Sequence, residues 1–135
     1  MNVLAAATVS ASALEAEKMR LDLIAQNIAN AGNTKDIQGG PYQRKVASFE
    51  TVLDAASPNG RAVKVAKVVD DKRPGIQVYS PQHPHADRNG NVQMPNVDVA
   101  HEMVDMISAS RAYEANLAVV RNARQIAAQA LSIGR

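Results

Sequence analysis

The sequence predicts a mainly α chain with a small β insert: long N- and C-terminal helices that pack as a coiled coil, joined by a β-hairpin and loop region. Three observations carry this reading. Nine of the 24 alanines fall between Ala5 and Ala31, and nine more between Ala100 and Ala130. Alanine is the strongest helix former, so both ends favour helix. Each block repeats apolar residues at alternating steps of three and four. All six prolines lie between residues 33 and 96, where valine-rich stretches alternate. The expected division of a single domain is a helix over 1–32, an insert over 33–96 and a helix over 97–135.

The N-terminal helix carries a seam of Leu4, Ala7, Ala11, Leu14, Lys18, Leu21, Ala25 and Ile28, in which only Lys18 is polar. A heptad seam of this length calls for a partner helix, and small alanines allow close approach. Gly32 is expected to end the helix in the left-handed cap conformation. Asn27 and Asn30 sit inside the helix although asparagine disfavours that position. Either they lie on the surface of a fraying end, or their amides bond to a neighbouring helix and fix its register.

In the insert, Tyr42–Phe49, Arg61–Val69 and Ile76–Tyr79 read as extended. Asp71 to Gly75 has the composition of a turn and is expected to join the last two as a hairpin. Ser80–Asn96 is expected to be a long loop. Lys64, Lys67, Lys72 and Arg73 form a loose basic patch without the interleaved aromatics of a single-strand nucleic-acid surface, so it reads as a solvated strand face.

The C-terminal helix repeats the alternation in Met103, Met106, Ser110, Tyr113, Leu117, Val120, Arg124, Ala127 and Leu131. Asp98 is placed to cap its start, and Gly134 lies just past its end. From residue 98 to 133 it would extend about 54 Å at 1.5 Å per residue. A helix of that length must lie along another long helix. Arg111 and Glu114, three apart, read as a local surface pair.

Composition narrows the function classes. The 135 residues include no cysteine, so thiol catalysis and thiolate metal sites are excluded. There is no apolar run of membrane-spanning length and no basic-then-apolar leader of the secretory kind. A net charge of +2 is too balanced to argue for nucleic acid. Leu, Ile, Val and Phe number only 30, and the aromatics are Tyr42, Phe49, Tyr79 and Tyr113. Such a chain favours thin helices packed on neighbours over an aromatic-lined pocket.

Catalytic constellations are equally sparse. His83-Pro84-His85-Ala86-Asp87 is the only ligand-like cluster, and a solvated proline-rich loop explains it better than a metal site. His101-Glu102 lacks a second histidine four residues on, where Asp105 stands, so Glu102 reads as an acid in an exposed first helical turn. No serine has a nucleophile-elbow setting, and Gly39-Gly40-Pro41 lacks the Gly-Lys-Ser/Thr of a phosphate loop. No enzyme activity, metal or cofactor is expected.

Particular residues carry a family resemblance. Met19-Arg20-Leu21-Asp22-Leu23-Ile24-Ala25-Gln26-Asn27-Ile28-Ala29-Asn30-Ala31 resembles the N-terminal signature of bacterial flagellar rod, hook and hook-associated proteins. Gln26 stands where that family usually has a second asparagine, and Gly32 interrupts the tract after Ala31. Gly39-Gly40-Pro41-Tyr42 with Arg44, Val78-Tyr79-Ser80-Pro81 with His83-Pro84 and Ala86-Asp87, and Met94-Pro95-Asn96-Val97-Asp98-Val99 resemble its proximal-rod members. So does the run from Glu102 to Asn116, and long insertions like those of the hook relatives are missing.

The resemblance implies a structural subunit exported unfolded through the flagellar type III apparatus, without a cleaved signal peptide. It implies assembly into a torque-carrying tube across the periplasm, with terminal helices that tend to be disordered in the free monomer. The implied partners are other copies of the chain, other rod proteins, the rod–ring adapter at the membrane ring and the export apparatus, with no nucleic acid and no membrane insertion. Leu14, Leu21, Ile28, Met103, Tyr113, Leu117 and Val120 would carry helix packing. Asn27, Asn30, Ser110 and Arg111 would supply polar register. Tyr42, Pro81, His83 and Pro84 would shape the insert that meets neighbouring subunits. The alternative is a soluble coiled-coil adaptor unrelated to the flagellum.

Overall fold

The computed structural model describes residues 3–37, 39–53 and 61–133. The seam side chain of Leu4 and the stop at Gly134 lie outside the described residues. Two helices dominate: α1, Val3–Ala29, and α2, Val99–Ile133. They run antiparallel, because Asn27 meets Glu102 at one end while Arg20, earlier in α1, reaches Asp105, later in α2. Neither is long and apolar enough to cross a membrane.

Asp98 caps α2 as expected: its Oδ1 accepts from the backbone N–H groups of Ala100 at 3.0 Å and His101 at 3.4 Å. The end of α1 differs from expectation. Asn30 donates from both its backbone and its side chain to the Gln26 carbonyl. Gly32 has no positive φ; among the described residues the glycines that do are Gly39 and Gly90. An asparagine amide, not a left-handed glycine, satisfies the last turn.

Among its described residues the insert forms two separate antiparallel pairs. Strand β1, Lys45–Leu53, pairs with β2, Arg61–Asp70, with Lys45 opposite Asp70 and Leu53 opposite Arg61. A bulge at Ser48/Phe49 leaves Ala66 without an opposite residue. This ribbon lies along α1, since Asn27 bonds to Lys45 at one end and Ser12 Oγ accepts from the Val63 N–H at 3.1 Å toward the other.

Strand β3, Gln77–Tyr79, pairs with β4, Asn91–Gln93, and not with β2. The expected hairpin through residues 71–75 therefore does not form, and the expected loop 80–96 contains a strand. The reason lies in two long-range constraints. The Asp71 N–H donates to the Arg44 carbonyl at 2.7 Å and closes the β1–β2 ribbon. Gly75 passes so near the Met94 backbone that a Cβ there would lie 2.0 Å from its carbonyl oxygen, and the Met94 N–H donates to Ile76. Asp87 orders the intervening turn by accepting from the Asn89 and Asn91 N–H groups, each at 2.8 Å.

Among the described residues the buried hydrophobic side chains, proline aside, are Ala16, Leu23, Ile24, Tyr42, Ala62, Val92, Ala109 and Ala123. Half of them are alanine, so the elements approach closely and the core is thin. The α1 face turned inward carries Ala16, Leu23, Ile24 and Asn27. The expected seam lies on the other side: Ala11, Lys18 and Ala25 are exposed, and Leu14, Leu21 and Ile28 are half-buried. In α2 the stripe is turned less. Met106, Ser110, Tyr113, Leu117, Val120 and Ala127 are half-buried, Met103, Arg124 and Leu131 are exposed, and Ala109 and Ala123 lie innermost.

Candidate functional site

A polar clasp closes the end of the helix pair where residues 42–45 wedge between α1 and α2. Asn27 is its centre and is only 1% exposed. Its Oδ1 accepts from the Lys45 N–H at 2.9 Å and the Tyr42 hydroxyl at 3.0 Å. Its Nδ2 donates to the Lys45 carbonyl at 2.9 Å and to Glu102 Oε2 at 3.1 Å. All four bonding positions of the amide are filled. Toward Lys45 it acts as a strand partner would, taking both backbone groups of one residue.

Glu102 has no solvent exposure. The expectation of an exposed first-turn acid is corrected here. Arg44 Nε donates to Glu102 Oε1, and Arg44 Nη2 donates to Asp105 Oδ2 at 3.3 Å. Asp105 also lies 3.8 Å from Arg20, which lies 3.8 Å from Glu17. Positive and negative groups thus alternate from the buried Glu102 out to the surface of α1. A buried carboxylate is tolerated only with such pairing and hydrogen bonding.

Asn96 ties the wedge to the insert. Its Oδ1 accepts from the Arg44 N–H at 2.8 Å and its Nδ2 donates to the Asp71 carbonyl at 2.7 Å. Burial, then the nearby carboxylates of Asp70, Asp36 and Glu102, raise the Tyr42 phenol above its ordinary pKa. The exposed Arg73 guanidinium holds the half-buried Asp71 carboxyl down at about 2.

A cavity of about 300 Å³ opens beside the clasp, walled by Leu23, Ile24 and Phe49 and by the charged groups of Arg20, Arg44 and Asp105. It holds no nucleophile–base pair; the side chains of Arg20, Arg44, Glu102 and Asp105 are committed to one another. Among the described residues no group of three or more His, Asp or Glu is arranged for a metal. His85 Nδ1 lies 2.8 Å from Thr34 Oγ1, and its backbone N–H donates to His83 Nδ1.

The other expected site residues are scattered. Tyr42 is buried in the clasp and is not available to a neighbour, whereas Pro81 and Pro84 are exposed and His83 is half-buried. Asn30 closes the helix end. Ser110 is half-buried and Arg111 exposed. Arg111 and Glu114 form no ion pair with one another, and Arg73 of the basic patch pairs with Asp71. Sequence reasoning missed Arg20, Arg44, Asn96, Glu102 and Asp105 as a cluster. The signal for it is three-dimensional, since Arg44 and Glu102 are 58 residues apart.

Residues 88–133 match the family described as Flagellar basal body rod FlgEFG protein C-terminal. The chain is similar over nearly its whole length to curated relatives named Flagellar basal-body rod protein FlgC. The protein of that name from Agrobacterium fabrum is 43% identical over 130 residues, covering 96% of this chain and 93% of its own. That from Yersinia enterocolitica is 38% identical over 135 residues and all of both chains. That from Bacillus subtilis is 39% identical over 142 aligned positions, covering 94% of this chain and 95% of its own.

Proposed function

The chain belongs to the FlgC family of flagellar basal-body rod proteins and is a structural subunit of the rod, not an enzyme; from this premise we propose that it forms part of the proximal rod. In that role it polymerises with further copies and with other rod proteins into the periplasm-spanning drive shaft, against the rod–ring adapter at its base. It reaches that site through the flagellar type III apparatus without a cleaved signal peptide. Full-length similarity to rod proteins carries this reading and leaves the soluble adaptor without support.

The geometry suits a torque-bearing part. The clasp fixes α1, the insert and α2 to one another by directional bonds, while the thin alanine-rich core leaves much of each helix uncovered. Packing between subunits then adds apolar burial at the stripes a single subunit cannot cover. Leu14, Leu21 and Ile28 lie on the outer half of α1 and are assigned to that packing, as are Met103, Tyr113, Leu117 and Val120 on α2. Pro81, His83 and Pro84 are assigned to contacts of the insert. Mass spectrometry of detergent-purified hook–basal bodies tests the proposal. Several copies of the chain per rod are expected, and its absence from intact basal bodies would overturn the reading.

A further inference from the structure

The outward faces of the two helices carry matching charge patterns. On α1, Ala11, Glu15, Lys18, Asp22 and Ala25 follow one another at steps of four and three and are all exposed. At 3.6 residues per turn they lie about 150° around the helix from buried Ala16, Leu23 and Asn27. On α2, Ile107, Arg111, Glu114, Ala118 and Arg121 repeat the same steps and are likewise exposed, opposite buried Glu102, Ala109 and Ala123. The first stripe reads negative, positive, negative; the second reads positive, negative, small, positive. None of these six charges has an ion-pair partner among the described residues.

We infer that the outer stripe of α1 in one copy seats on the outer stripe of α2 in a second copy, with Lys18 against Glu114. This inference rests on the rod-subunit reading and names the face through which copies join. The charge order supports it in either helix direction. With Lys18 set on Glu114, a parallel pair brings Glu15 to Arg111 and an antiparallel pair brings Asp22 to Arg111. The alanines at Ala11, Ala25 and Ala118 leave room for close approach of the backbones. Each stripe lies opposite the buried side of its own helix, so one subunit offers two different surfaces to its neighbours. The contact is therefore heterologous and propagates from copy to copy, as a ring or helical assembly requires. Charges at flanking and seam positions set partner choice in paired helices more than they set affinity.

The chain has no cysteine, so introduced cysteines report the contact alone. The double variant Lys18→Cys/Glu114→Cys is expressed in motile cells, and its purified hook–basal bodies are oxidised. The two positions face opposite sides of one subunit, so a bond between them joins two copies. The expected result is a ladder of disulfide-linked dimers and higher multimers of this chain that neither single variant gives. Dimers from Lys18→Cys alone, bonding to a different rod protein, or no cross-link in rods that contain the chain would each overturn the pairing. Absence of the unmodified chain from basal bodies would instead overturn the rod reading. Where the cysteine pair blocks assembly, charge exchange takes its place. Lys18→Glu and Glu114→Lys should each reduce assembled rods several-fold and the double exchange should restore them. Failure of the double to restore would overturn the pairing.

Discussion

Replacing Arg44 with methionine removes the cation that, alone among the described residues, contacts the buried Glu102 carboxylate. The side chain of Glu102 stays fully enclosed, its Oε2 still bonded to Asn27 but its Oε1 facing no donor. Leaving one member of a buried ion pair without its partner costs ~3–5 kcal/mol. Arg44 also holds Asp105, but that carboxylate is a third exposed and its share is small. A domain of this size has about 5–15 kcal/mol of stability, and a thin alanine-rich core puts this chain toward the low end. Arg44→Met should therefore remove most of the cooperative urea transition followed by far-UV circular dichroism. Glu102→Gln keeps the shape and an acceptor and should cost about 1.5–3 kcal/mol, the range for bonds to charged groups. The double variant Arg44→Met/Glu102→Met removes both charges and should recover to within about 1 kcal/mol of the parent, since apolar replacement of a buried pair is often neutral. With the single variant Glu102→Met, the Arg44→Met single and the double variant close a thermodynamic cycle with the parent. An Arg44→Met cost below about 1 kcal/mol, or additivity of the two substitutions, would refute the clasp as the element that joins the helices.

Leu21→Asp places a carboxylate among the half-buried apolar residues of α1's outer half; swimming in soft agar should be lost while the chain still reaches the culture medium, and normal motility would count against that packing. Tyr42→Phe should cost ~0.5–1.5 kcal/mol for one buried hydrogen bond. Because the folded phenol has a raised pKa, the stability tied to it is complete below pH 10 and falls as pH rises through the folded value. Absorbance titration should show one phenol of the parent, missing in Tyr42→Phe, ionising above 10. Asp71 has a folded pKa of about 2 against 3.8, so its contribution is complete above pH 4 and is lost as pH falls toward 2; Arg73→Ala should return the carboxyl, followed by NMR, to the ordinary range. Gly75→Ala puts a Cβ 2.0 Å from the Met94 carbonyl and should cost about 1–3 kcal/mol of strain, seen as faster hydrogen exchange at β3 and β4 with α1 unchanged.

Local signals told the sequence where helices lie, but not which way they face. Alanine enrichment and the Asp98 cap identify α1 and α2 because both act within a few residues. The packed face of α1 is another matter. Ala16, Leu23 and Ile24 are as apolar as Ala11, Leu14 and Leu21, so a helix with two apolar sides gives periodicity no means of choosing between them. The strand partners failed for a similar reason. Asp71 to Gly75 has turn composition, yet pairing is decided by the Asp71–Arg44 bond and by the approach of Gly75 to Met94, neither of which is local. Glu102 looks identical in sequence whether it caps a dipole at the surface or lies buried beneath Arg44. The amide at Asn27 was visible as an anomaly; its partners were not.

The clasp and the thin core answer one physical problem together. Alanine-rich faces pack closely, but they are nearly interchangeable: sliding α2 along α1 by one heptad, about 10 Å, presents a similar set of small side chains. Apolar contact alone therefore specifies the register weakly. Asn27, Arg44 and Glu102 distinguish the registers, because any slide of α2 carries Glu102 away from both Arg44 and the Asn27 amide. Asn27→Leu tests this directly. It keeps the helix and adds apolar surface, so the α1–α2 pair should still form, but with a loss of unique packing that appears as broadened NMR resonances for Leu23, Ala109 and Tyr113. Sharp resonances at parent positions would mean that the apolar faces fix the register unaided.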